Sequence, residues 1–451
     1  MDDTRKLAQI GTKGQYPGNC RRDLLAVSLP RGVACKAVAA QEVPIVKLGR
    51  ILLSSQAVLS PIQIVEMMCK DYRFIFSDVF GLGCLERFWQ QIDPNDPKLI
   101  DHPMLRLPDW QKRAIPIMVH GDGASFTSDS KNSLMVTSWR PLLNEHFDFG
   151  TFLLFVLPRV VKASGHKHGV DSHWEMWSLV VHFFNCMFEG RHPDRDHRGR
   201  AWPHNSREAS SSGNIKAGGH FFVVWNLVGD LPYLAEEYGL PHFNSGSFCW
   251  MCGVNRDDLP YTDCRRAAMW RGALTPWGVG KAATPSEHPI WNLQGVSRWF
   301  APGDLMHTGC LGVLAWLLGS VCYELIFDGI FPGPLELRRS RLWDLVQLKY
   351  DAKGVPHSSR LHDLELDRFR HTNAFAELRA KAAVTRHFLP ILADVCRDLS
   401  TGSARDLHRQ ATLDNIVAVY DIIVHSEYRI VGFQHRRLMK HADAFLVHIH
   451  G

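Results

Sequence analysis

Two stretches decide the fold: Ile115-Pro116-Ile117-Met118-Val119-His120-Gly121-Asp122-Gly123 and His220-Phe221-Phe222-Val223-Val224-Trp225-Asn226-Leu227-Val228-Gly229-Asp230. Each is a short apolar run that closes on glycine and aspartate, the pattern of a buried strand followed by a turn. Two further strand-like runs lie between them, Leu134 to Trp139 and Phe152 to Leu157. From His173 to Phe188, Trp174, Trp177, Leu179, Val180 and Phe183 recur at helical spacing, and Leu231 to Tyr238 continues as a helix after the last strand. The order is strand, strand, strand, helix, strand, helix, with one aspartate at the end of the first strand and one at the end of the fourth.

Outward from this region the chain is less regular. Residues 1 to about 50, broken by Pro17, Gly18, Pro30 and Gly32, read as a loose leader. From Ile51 to Gln91 the apolar spacing is helix-like (Ile62, Ile64, Val65, Met68, then Leu85, Phe88, Trp89), and Asp93 to Leu107 reads as a linker. The longest apolar stretch, Cys310 to Tyr323, is followed by Glu324 and Asp328. It falls short of the roughly 20 residues a bilayer needs and suits a buried helix. With charge at Met1 to Lys6 and no apolar run behind it, no signal peptide is expected. The 11 cysteines are odd in number and scattered, which favours a reducing compartment, nuclear or cytoplasmic, over a disulfide framework. A net charge of +5 permits contact with a phosphate backbone without demanding it.

Asp122 and Asp230 are the candidate catalytic acids. Were the first and fourth strands neighbours, the two carboxylates would meet at one edge of the sheet and offer oxygen ligands to Mg²⁺ or Mn²⁺. The alternative for each is turn chemistry, since aspartate beside glycine is common there. Cys249 and Cys252 have the spacing of a zinc knuckle, which needs two more ligands. Cys264 is one candidate. Asp304 and His307, three apart at the start of an apolar helix, are the others, and Asp304 also has the place of an N-cap. Arg191, Arg195, Arg198 and Arg200 in the loop from Gly190 to Gly219, and Arg265 and Arg266 further on, are candidate DNA contacts; a solvated loop explains them equally.

The element order is that of an RNase H-like core. The motifs Gly121-Asp122-Gly123-Ala124, Gly229-Asp230-Leu231-Pro232, Ser245-Gly246-Ser247-Phe248-Cys249-Trp250-Met251-Cys252 and Asp304-Leu305-Met306-His307 follow one another as in the DDE/D transposases of the CACTA and Plavaka type, which the chain resembles over roughly residues 100 to 450. The resemblance implies metal-dependent DNA cleavage and strand transfer. It makes Asp122 and Asp230 metal-binding acids, Asp304 and His307 the D/CxxH signature, and transposon-end DNA the partner, with homo-oligomers and no membrane. One departure stands out. Lys381-Ala382-Ala383-Val384 has valine where such enzymes place a glutamate. Glu377 lies seven residues upstream, about 10.5 Å along a helix, and Asp394 lies beyond the helix-disrupting Pro390. The chain also stops at Gly451 inside a helical region, so a degenerate or fragmentary transposon-derived protein is expected. A non-catalytic DNA-binding or scaffold protein is the second reading. A hydrolase is the third, because His120-Gly121-Asp122-Gly123 faintly resembles an oxyanion-hole loop, but no G-x-S-x-G elbow accompanies it.

The expected fold class is α+β, an α/β RNase H-like core with a large, mainly helical insertion carrying the CxxC knuckle. Its parts are an N-terminal irregular and helical region (1–108), the first part of the core (109–245), the insertion (246–370) and a C-terminal helical part closing the core (371–451).

Overall fold

The computed structural model describes residues 38–450 except 126–132, 145–149, 273–287, 365–375, 427–429 and the single positions 165, 166, 168, 212, 243, 247, 253, 256, 260, 261, 264, 266, 329 and 431. It is an α+β fold with a mixed sheet. The chain forms two units, Met1–Leu240 with Pro276–Pro302 and Pro241–Thr275 with Gly303–Gly451.

The first unit opens on a hairpin of β1 (Val38–Lys47) and β2 (Arg50–Leu59). Its two-residue turn, Leu48-Gly49, has both φ positive at 50° and 71°, the twist that lets antiparallel strands meet without splaying. From residue 38 on this corrects the irregular leader expected up to about residue 50, whose residues 1–37 lie outside the described residues, and it corrects the helical spacing expected from Ile51. The strand period was hidden because its buried side includes Gln41 beside Val43 and Val58, while Ile51, Leu52 and Leu53 stand exposed in succession. Helical spacing does hold further on, in α1 (Pro61–Asp71), α2 (Arg73–Phe80) and α3 (Leu85–Gln91), where Ile62, Ile64, Val65, Met68, Leu85, Phe88 and Trp89 are all buried.

The main sheet contains β3 (Ala114–Ser125), β4 (Ser133–Pro141), β5 (Phe152–Pro158) and β6 (Phe221–Gly229). The spatial order is β5-β4-β3-β6. The first three strands are antiparallel and β6 lies parallel to β3, so the first and fourth are neighbours, as their sequence order suggested. Helix α4 (Ser172–Glu189) is capped by Asp171, which accepts from the amides of His173 and Trp174. It covers one face of the sheet, where Trp139 meets Phe152 and Phe184 at 4.9 and 6.1 Å and Phe155 meets Trp177 at 5.6 Å. The register slips by one residue at Trp225, a bulge whose indole packs against Trp89 and Phe300. Helix α5 (Leu231–Tyr238) follows β6 directly.

One strand end departs from expectation. Gly121-Asp122-Gly123 is no turn: β3 continues to Ser125, paired with Ser133. The glycine at 121 serves close approach instead. The ring of Tyr233, on α5, lies across it, and a Cβ built there would stand 1.8 Å from the ring.

The second unit is helical in its regular structure. Met306–Val313 is wound as a π-helix and runs into α6 (Leu314–Phe327), followed by α7 (Leu335–Ala352), α8 (Ala382–Leu399), α9 (Ala404–Val424) and α10 (Gly432–His450). Leu318, Val321 and Leu325 pack with Leu342, Val346, Phe388, Leu392 and Leu413 in its core. Met306–Phe327 is the one described helix long and apolar enough to cross a membrane, and half of its most apolar window is buried within the protein. Pro390 does not break α8, correcting the expectation drawn from it. Its neighbours Phe388, Leu389, Ile391 and Leu392 are all fully buried, and that burial offsets the proline's cost of about 3 kcal/mol. At the core's edge the buried Arg409 bridges Glu324 and Asp406 through Nη1 (2.6 Å) and Nη2 (2.5 Å).

Candidate functional site

Gly121 of β3 pairs with Gly229, the last residue of β6, so Asp122 follows within β3 and Asp230 follows just beyond the end of β6. Along β3 the side chains alternate: Ile117, Val119 and Gly121 are buried, whereas Met118 and His120 are half-buried and Asp122 is exposed. Among the described residues the Asp122 carboxylate makes no hydrogen bond or ion pair, and with β3 continuing past it the turn explanation lapses. Asp230 has a structural role other than the turn chemistry expected for it. It is the N-cap of α5, with Oδ1 accepting from the Tyr233 amide at 2.6 Å. The Tyr233 hydroxyl sits 3.0 Å from Thr137 Oγ1. Its pKa is driven upward, by burial first and then by the charges of both Asp122 and Asp230.

The open side of the sheet carries more than these acids. His120 lies two residues before Asp122 on the same side, and the register places Asn226 opposite Met118 and Val228 opposite His120. Lys98 reaches this strip: its Nζ donates to Asn226 Oδ1 at 2.7 Å and to the Trp225 carbonyl at 3.0 Å. It lies 5.1 Å from the Trp225 ring and 5.3 Å from that of Phe300, and burial brings its pKa down to about 8. Sequence reasoning missed both residues. Alternation along Met118 to Asp122 could have found His120; nothing local points to Lys98, which joins the strip from 128 residues away.

The knuckle cysteines do meet. Cys249 and Cys252 share a hydrogen bond, and the Cys252 sulfur accepts from the Val254 amide; burial, the largest effect, pushes its thiol up to about 11. Cys264 lies outside the described residues. Asp304 and His307 bind each other rather than joining the cysteines. Asp304 Oδ2 is 2.5 Å from His307 Nδ1, while Oδ1 accepts from the amides of Met306 and His307 at 2.9 and 3.1 Å, the N-cap alternative realised. Among the described residues no three His, Cys, Asp or Glu side chains converge as a metal would require.

The arginines proposed for DNA are largely matched locally. Arg198 pairs with Glu175 at 2.9 Å, Arg200 with Asp196 at 2.7 Å, Arg195 with Asp194 at 4.0 Å, and Arg265 with Asp263 at 2.8 Å. Arg191 is exposed, and Arg266 lies outside the described residues. Arg198 and Arg200 border a cavity of about 450 Å³ with His182, His192 and Glu66.

Val384 falls in the first turn of α8 and is buried. Neither substitute acid is placed to replace it. Glu377 is not on a helix at all, so the helical distance reckoned for it does not apply; its backbone packs on Gly319 of α6. Asp394 lies on α8 but is engaged by Lys353 at 2.9 Å and Arg397 at 2.7 Å, bonds that outweigh burial and hold its carboxyl below the ordinary range. Compared with known proteins, the chain matches no family model and no curated relative.

Proposed function

We propose that the chain is a transposon-derived protein of the DDE/D transposase type, with an RNase H-like core whose nuclease centre has lost its third acid. The observation that carries this reading is that Asp122, within β3, and Asp230, directly after β6, each follow one of two glycines matched across these adjacent parallel strands, with the Tyr233 ring packed against both glycines. Two carboxylates suit a hard divalent cation such as Mg²⁺ or Mn²⁺. They fall short of the donor set a two-cation site uses, because Val384 is apolar and the described residues bring no third ligand. What the residues support is weak binding of one cation and greatly reduced strand cleavage, in a nuclear or cytoplasmic protein that still contacts DNA.

The test is a labelled terminal-repeat duplex incubated with the full chain in Mg²⁺ or Mn²⁺. The unmodified chain is expected to cleave little, Val384→Glu to gain cleavage, and Asp122→Ala to remove it in that background. Calorimetric Mn²⁺ affinity should fall at least about tenfold in Asp122→Ala, since even residues that only orient metal ligands carry effects of that size. Unchanged Mn²⁺ binding in Asp122→Ala would sink the reading.

The cysteine pair supports a structural Zn²⁺, with Cys264 as the open third candidate. Purified protein is then expected to hold zinc that Cys249→Ser releases, read by metal analysis. A chain free of zinc in both forms removes the knuckle from the proposal. Binding of the duplex with no cleavage even in Val384→Glu would favour the second reading, a non-catalytic DNA-binding or scaffold protein.

A further inference from the structure

The second unit contains a cavity of about 720 Å³ bordered by Met306, Leu311, Ser358, Arg360–His362, Arg379–Ala382 and Val384. Its lining divides sharply. One part is apolar, from Met306, Leu311, Leu361 and Val384. The other is cationic, from Arg360, Arg379 and Lys381 with His362 beside them, and no carboxylate lines it among the described residues. Arg360 is already anchored: its Nε donates to the Val355 carbonyl at 2.8 Å, its Nη1 to Asp351 at 2.6 Å, and its plane lies 5.4 Å from the Tyr350 ring. That leaves its guanidinium rigidly held at the wall with its charge balanced by Asp351. Arg379 and Lys381 are exposed and their side chains make no hydrogen bond or ion pair among the described residues, so among these residues the cavity carries their two charges unbalanced. Lys381 is also the N-cap of the 18-residue α8, with no side-chain cap bond, which adds the positive end of that helix to the same wall.

From this lining we infer that the cavity binds a phosphate group carried on an apolar body: a nucleotide, free or within a nucleic-acid strand. The phosphate is held by Arg379 and Lys381 and by the amides that open α8, while the base or sugar lies against Met306, Leu311 and Leu361. The inference stands apart from the cleavage chemistry, since it uses none of the candidate acids. It also gives Val384 a role: an acid at that position would repel the anion the surrounding charges attract.

The test titrates the full chain with inorganic phosphate, dAMP and a short single-stranded oligodeoxynucleotide at fixed low salt. Binding is expected from dAMP and the oligonucleotide, each tighter than inorganic phosphate, and weaker by about tenfold or more in the doubly substituted Arg379→Gln, Lys381→Gln chain, in keeping with the strength of charge-assisted bonds. The oligonucleotide's salt slope should fall by about 1 for each cation removed. Both side chains are exposed, so thermal unfolding of the variant should match the parent and separate lost binding from lost folding. Tighter oligonucleotide than dAMP binding assigns the site to a strand, and the reverse to a free nucleotide. If phosphate alone binds, or if the double substitution leaves affinity and salt slope unchanged, the inference is overturned.

Discussion

Gly121→Val should unfold the sheet of the first unit, a loss above about 3 kcal/mol, at or beyond the upper end of what overpacking a core usually costs. The reason lies in one contact. At Gly121 the first side-chain carbon would stand 1.8 Å from the Tyr233 ring and 2.1 Å from its hydroxyl oxygen. Tyr233 has little freedom to yield: it is 2 % exposed, its hydroxyl is tied to Thr137, and its backbone is fixed by the Asp230 cap. Gly229 is similarly close, with a Cβ there 2.8 Å from the same ring. Urea unfolding of Gly121→Val beside Gly121→Ala/Tyr233→Ala gives the comparison. The double variant, in which the obstructing ring is removed, should recover part of the loss relative to Gly121→Ala alone. Asp122→Asn, one residue on but exposed, should unfold close to the parent. A Gly121→Val chain as stable as the parent would mean that Tyr233 does not lie over β3.

Acid should destabilise the first unit well before its carboxylates titrate. His102 and His288 are built alike: each precedes a proline, each begins a short 3-10 turn, and each uses Nδ1 to accept the amide two residues on, from Met104 and Ile290, both at 3.2 Å. Both are buried, and burial lowers their pKa from 6.5 to about 4 and about 3 respectively. A depressed imidazole pKa means that the unfolded chain binds the proton first. Stability from this source is therefore complete above about pH 6.5 and is lost as pH falls from there toward the folded values. By about pH 4 each histidine accounts for about 3 kcal/mol, an upper estimate. Protonation also turns Nδ1 from acceptor to donor and removes the cap. The urea midpoint should thus drop steadily between about pH 7 and pH 4, and His102→Asn, which keeps an acceptor without the titration, should show a shallower drop. A midpoint that holds level across this range contradicts the account.

How much of this was legible beforehand depended on whether the signal was local. The runs around Met118, Met135, Phe155 and Val224 are nearly continuous apolar segments closed by glycine or polar residues, so the strands, their order and both following helices could be read directly. The hairpin could not, because its buried side uses a glutamine and its turn puts Leu48 at positive φ, where a β-carbon is disfavoured. The Gly-Asp-Gly at the end of the first run imitates turn chemistry, and only the arrival of Tyr233 from 112 residues later shows why a glycine is needed. The two cysteines could be paired from spacing, whereas the bond between Asp304 and His307 could not be told from shared metal ligation, since both need the same three-residue offset. Lys98 and the cation-lined cavity arise from residues far apart in the chain, and no window of sequence contains them.

The π-wound start of the apolar helix has a consequence for how this chain can change length. A turn that closes five residues on holds one residue more than an α-helix needs. Between Met306 and Val313 a single deletion can therefore be absorbed by relaxation to the α form. The same deletion within Leu314–Phe327 would swing everything beyond it by about 100°, carrying Leu318, Val321 and Leu325 out of the core they fill.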